Sequence, residues 1–120
     1  MKNKFEQLKV LQETHRYVLD IYKVTGKFPN EEKYGLTNQL RRAAVSVASN
    51  IVEGNERKTR KEYIQFLYTA KGSLAETKYQ LLLAKDLKYL SQLEYEELIV
   101  KTNTIGKMIN SLINYLKKPD

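Results

Sequence analysis

Gln39-Leu40-Arg41-Arg42-Ala43-Ala44-Val45-Ser46-Val47-Ala48-Ser49-Asn50-Ile51-Val52-Glu53-Gly54 separates its apolar and polar residues as an amphipathic helix does. Leu40, Ala43, Ala44, Val47 and Ile51 recur at three and four residues, the spacing of one helical face. Arg42, Ser46, Ser49, Asn50 and Glu53 gather on the side opposite. A half-buried strand would alternate at period two, and no segment of the chain does so for long. Thr37 is placed to cap this helix, Glu53 to end it, and Gly54 to supply a left-handed residue beyond the last turn.

Three further helices follow from the same logic. The first spans about Phe5 to Val24, with Phe5, Leu8, Leu11, His15, Val18 and Tyr22 as its apolar stripe, and stops at Thr25-Gly26 ahead of Pro29. On that stripe His15 reads as a packed, hydrogen-bonded imidazole. Thr59-Arg60-Lys61-Glu62 and Ser91-Gln92-Leu93-Glu94 are capping-box sequences that open the third and fourth helices. The third runs over 60–88. In the fourth, Tyr95, Leu98, Thr102, Ile105, Ile109, Leu112 and Leu116 form a seam of heptad type. Short connections between long amphipathic helices predict an all-α, antiparallel up-down-up-down four-helix bundle, one domain over residues 1–120.

Composition narrows the chemistry. The chain has no cysteine and one histidine, which excludes disulfides, thiolate metal sites and cysteine nucleophiles and leaves no helical pair of metal ligands. No nucleophile stands beside an activating base, and Gly54-Asn55-Glu56-Arg57 lacks the phosphate-loop pattern. The expectation is a non-enzymatic protein without metal or cofactor. No run approaches the ~18 apolar residues of a membrane span, and the first residues are charged, so a cytoplasmic protein away from membranes is expected.

Twenty-one Lys and Arg against 14 Asp and Glu give a net charge of +7, which favours anionic partners. The excess lies in residues 1–30 and 55–90. On the third helix Arg60, Lys71, Lys78 and Lys85 share one narrow arc, since separations of 11 and 7 residues return a helix to nearly the same azimuth. This basic ridge, extended by Arg57, Lys58 and Lys61 and joined by the planar forks of Arg41 and Arg42, is the candidate contact for RNA or DNA phosphates; the alternative is a solvated row whose stems cover the core edge while their heads stay in water.

The same helix carries two apolar faces. Tyr63, Phe66, Leu67, Ala70, Leu74, Leu81 and Ala84 form the core side, while Ile64, Tyr68, Ala75, Tyr79, Leu82 and Leu83 cluster elsewhere, with Gly72 among them. One bundle buries one side of a peripheral helix, so the second stripe predicts self-association; the alternative is a monomer whose tyrosines sit half-exposed with their hydroxyls in water. Asn50, Glu53 and Glu76 are the candidate polar network, with Glu53 facing Arg57 or Arg60 across the turn.

Leu40-Arg41-Arg42-Ala43-Ala44, Asn50 to Gly54, Arg57, Tyr63, Phe66-Leu67 and Ala70 to Glu76 together resemble the four-helix bundle family named for proteins encoded in 23S rRNA intervening sequences. A relative of that family is the accessory variability determinant of diversity-generating retroelements. The resemblance implies a homopentameric ring with a basic surface, and for the retroelement relative an association with nucleic acid and a reverse transcriptase. It makes Arg41, Arg42, Arg57, Asn50, Glu53, Gly54, Gly72, Ser73 and Glu76 motif positions. The expected function is an oligomeric nucleic-acid-binding module, accessory to a reverse transcriptase. The alternative is a scaffold protein that docks on an acidic or protein partner.

Overall fold

The computed structural model describes residues 4–119, with side chains from Leu8 onward. Phe5, first in the expected stripe, lies outside those side chains. The chain folds as α1 (Lys4–Thr25), α2 (Leu36–Asn55), α3 (Arg60–Asp86) and α4 (Gln92–Lys117), with one 3-10 turn at Asn30–Glu32. Contacts between helix ends set neighbouring pairs antiparallel: Thr25 meets Arg41, Gly54 packs on Tyr63 and Phe66, Arg60 meets the Lys118 carbonyl, and Asp20 meets Lys101. The all-α four-helix bundle expected from the periodicity is what forms, and no helix among the described residues is long and apolar enough to cross a membrane.

The core side of α1 differs from the expected one by a single residue, about 100° round the helix. Val10, Thr14, Tyr17 and Ile21 are buried, whereas Leu11 and Val18 are half-buried and Leu8, His15 and Tyr22 are exposed. His15 is therefore a surface residue and not a packed imidazole. Two threonines explain the shift. Thr14 and Thr25 donate their hydroxyls to the Val10 and Ile21 carbonyls, both at 2.7 Å, and so go inside without an unmet polar group. Tyr17 is buried as well. Thr102 gives its one hydroxyl proton to the Leu98 carbonyl, so Tyr17 donates across to Thr102 at 2.7 Å, and burial holds that phenol protonated well above its ordinary range.

The buried positions expected on α2 and α4 are found there, with Tyr95 only half-buried. On α3, Phe66 is half-buried, and Thr77 and Gln80 enter the core side. The Tyr63 phenol, buried against α2, is pushed up to about 12 by desolvation.

Punctuation differs at four places. Gly35, not Thr37, precedes α2, and the Glu32 carboxylate substitutes for a cap by accepting the Leu36 N–H at 3.1 Å while Tyr89 donates to its other oxygen at 2.8 Å. These hydrogen bonds hold the Glu32 carboxyl below its usual value. Gly54 lies inside α2 with ordinary helical φ; its role is packing, because a Cβ there would stand 2.8 Å from Tyr63 Cδ1 and 2.9 Å from Phe66 Cβ. Thr59 accepts from the Glu62 N–H and its hydroxyl donates to the Glu62 carboxylate at 3.1 Å, in place of the backbone N–H bond by which Ser91 and Glu94 complete a full capping box. α3 ends at Asp86 because Lys88 turns left-handed, at φ 67°, and the Tyr89 N–H reaches back to the Ala84 carbonyl at 2.9 Å.

Candidate nucleic-acid interface

Because α3 and α4 run antiparallel, the cations on their facing edges meet along one seam. Arg60 donates to the Lys118 carbonyl at 2.7 Å, Lys117 to the Tyr68 hydroxyl at 2.8 Å, and Lys78 to Asn103 Oδ1 at 3.0 Å. Lys85 stands 4.8 Å from the centre of the Tyr95 ring and 3.5 Å from Asp86. Between these ties lies an open groove of about 400 Å³ with Lys71, Lys78, Lys107, Asn103 and Asn110 on its walls and Leu74 and Gly106 on its floor.

Among the described residues no carboxylate lines the groove. None of the ion pairs among the described residues uses Lys71, Lys78 or Lys107, so their charge is not cancelled locally. Three ammonium groups and two amides converging on one trough can neutralise and hydrogen-bond phosphate oxygens. Lys71 and Lys117 also approach the Tyr68 ring, at 5.7 and 5.4 Å from its centre, and the Lys117 hydrogen bond followed by the nearby ammonium charges lowers the Tyr68 pKa.

The nine cations expected to contact nucleic acid fall into three groups. Lys71, Lys78 and Lys85 occupy the seam together with Arg60 at its end. Arg57, Lys58 and Lys61 surround the α2–α3 turn; the Arg57 guanidinium stacks 4.6 Å from the centre of Phe66 and stands 3.8 Å from Glu53. Arg41 and Arg42 sit apart on α2. Arg42 is exposed, but Arg41 donates to Thr25 Oγ1 at 2.8 Å and to the Tyr22 carbonyl at 3.3 Å and stacks on the Tyr22 ring, so its fork closes the end of α1.

Lys107, Lys117, Asn103 and Asn110 escaped the reading of the sequence. The signal was present: from Leu98 to Lys118 there are four lysines and no acidic residue, while Glu94, Glu96 and Glu97 crowd the start of α4. Summing charge over 91–120 gives zero and conceals that division.

Of the polar network, Asn50 donates to the Ser46 carbonyl at 2.8 Å and to its hydroxyl at 3.1 Å, and Ser46 meets Ser73 across the α2–α3 interface at 2.9 Å. Glu53 pairs with Arg57 alone of its two candidates, and Glu76 is exposed without a hydrogen bond or ion pair among the described residues. On the outer face of α3, Tyr68, Gly72, Ala75, Tyr79 and Leu82 are exposed, while Ile64 and Leu83 pack partly against the core. A second apolar surface lies on the opposite side of the bundle. There Leu11, His15, Ala48 and Val52 line a groove of about 650 Å³ between α1 and α2, with Leu8 and Val45 exposed on the same two helices. It is the stripe expected in the core of α1, turned outward.

Comparison with known proteins places these features in context. The model of the family described as 23S rRNA-intervening sequence protein matches residues 6–111. A search of curated proteins gives no match. Among solved structures, the chain is similar to the crystal structure of a protein with unknown function from the S23 ribosomal protein family of Bacteroides thetaiotaomicron VPI-5482. The identity is 24% and the TM-score 0.84, over 91% of this chain and 98% of that one, a likeness of fold.

Proposed function

This chain belongs to the family of 23S rRNA-intervening sequence proteins, and from that premise we propose that it is a non-enzymatic module that binds the phosphate backbone of RNA or DNA along the α3–α4 seam. The observation that carries the reading is the groove of Lys71, Lys78 and Lys107, which has amide partners on its walls and no carboxylate. Contacts of this kind are sequence-tolerant and salt-dependent, because they neutralise phosphates and do not read base edges.

Self-association completes the reading. Among the described residues, the outer face of α3 and the α1–α2 groove are exposed apolar surfaces. A ring built through one of them, a pentamer in the resemblance, would repeat a modest groove several times and raise affinity by avidity. Titrating labelled RNA and DNA of mixed sequence at low and at moderate salt tests the proposal. Binding that weakens steeply with salt is expected; an absence of binding at low salt would leave the scaffold reading in its place.

A further inference from the structure

Tyr68 and Tyr79 lie on the outer flank of the groove. Eleven residues separate them, which returns α3 to nearly the same azimuth and sets them about 16 Å apart along the axis. The surface between is flat: a Cβ at Gly72 would meet nothing within 4 Å, and Ala75 contributes one methyl group. Tyr79 is 62% exposed, and Tyr68 is flanked by the ammonium groups of Lys71 and Lys117. Cations suited to phosphates and π-faces suited to bases thus occupy adjacent strips of one helix.

We infer that the α3–α4 strip binds a single strand and not a duplex, with phosphates along Lys71, Lys78 and Lys107 and bases stacked on Tyr68 and Tyr79. This rests on the nucleic-acid reading above and adds the form of the ligand. A duplex keeps its base faces inside the stack and would use only the lysines, whereas an unpaired strand satisfies both strips at once. That axial spacing of the two residues corresponds to roughly five base steps of ~3.4 Å. Gly72, which no contact within the bundle requires, lets the strand lie close to the helix.

The test is fluorescence anisotropy of the full chain with a short mixed-sequence oligodeoxynucleotide, its duplex and its abasic analogue, using wild type, Tyr79→Leu, Tyr79→Phe, Tyr68→Leu and Lys71→Gln/Lys78→Gln. Native mass is recorded for each variant. The single strand should bind more tightly than the duplex or the abasic strand, each leucine variant should weaken it about fivefold or more, and Tyr79→Phe should retain it. Duplex binding as tight as the single strand, or leucine variants as tight as wild type while the lysine variant loses affinity, would overturn the inference and leave the nucleic-acid reading standing. Dissociation of an assembly by Tyr79→Leu would assign the face to a second copy and overturn the inference as well. If no oligonucleotide binds wild type, the underlying reading itself fails.

Discussion

Alanine at Gly72 and alanine at Gly54 should change stability in opposite directions, although both glycines sit in helices with ordinary backbone angles. At Gly72 the added Cβ meets nothing within 4 Å, so the substitution only removes the entropic cost of glycine in a helix interior, about 1 kcal/mol. For a chain of 120 residues the unfolding entropy scales to roughly 250 cal/mol/K, so that gain corresponds to a Tm about 4 °C higher. At Gly54 the same helix-propensity gain is opposed by contacts at 2.8 Å to Tyr63 and 2.9 Å to Phe66, and the Tyr63 ring is fully buried with no room to withdraw. Overpacking of this kind costs about 1–3 kcal/mol, which leaves a net loss of up to about 2 kcal/mol and a Tm lower by up to about 8 °C. Thermal melts followed by far-UV circular dichroism, at two protein concentrations to expose any contribution from assembly, measure both. Equal melting temperatures for the two variants, or a Gly72→Ala protein less stable than wild type, would refute the assignment of Gly54 to packing and Gly72 to the surface.

Stability should also fall on acidification through carboxylates tied into helix starts. Glu32 is held below its usual 4.5 by the Leu36 N–H and then by Tyr89, and Glu94 below its own by Lys27 and then by the Ser91 N–H. A depressed folded-state pKa stabilises above the unfolded value and the contribution is lost as pH falls through the folded one, so denaturant midpoints should drop from about pH 5 downward. Glu32→Gln should flatten that dependence; a profile as steep as that of wild type would show the carboxylate to be idle. Lys88→Gly, which relieves a left-handed non-glycine residue, should stabilise by about 0.5–1 kcal/mol and raise the Tm by about 2–4 °C, with an unchanged melt counting against the strain.

The bundle was legible because α2 and α4 carry three-four periodicity and because Ser91 and Glu94 open α4 as a capping box does. The phase of α1 was not, since buried Thr14 and Thr25 conceal their polarity by bonding their own helix, and a count of apolar residues passes over them for Leu8, His15 and Tyr22. Half of the candidate groove could be read from α3, where spacing alone aligns Lys71, Lys78 and Lys85. The other half depends on which part of α4 faces α3, a tertiary fact, and it brought in Lys107, Asn103 and Asn110 while leaving Arg41 at the end of α1. Gly54 and Gly72 look alike in sequence, and only the neighbours of each distinguish them.

Phosphates held in the α3–α4 groove are read by the slope of log affinity against log salt for a labelled oligonucleotide. Each phosphate contact contributes about 0.7–0.9 to that slope. Lys71→Gln/Lys78→Gln/Lys107→Gln should therefore reduce its magnitude by roughly 2–3 relative to wild type. A triple variant whose slope and affinity equal those of wild type would contradict the account and move the contact to the arginines of α2 and the α2–α3 turn.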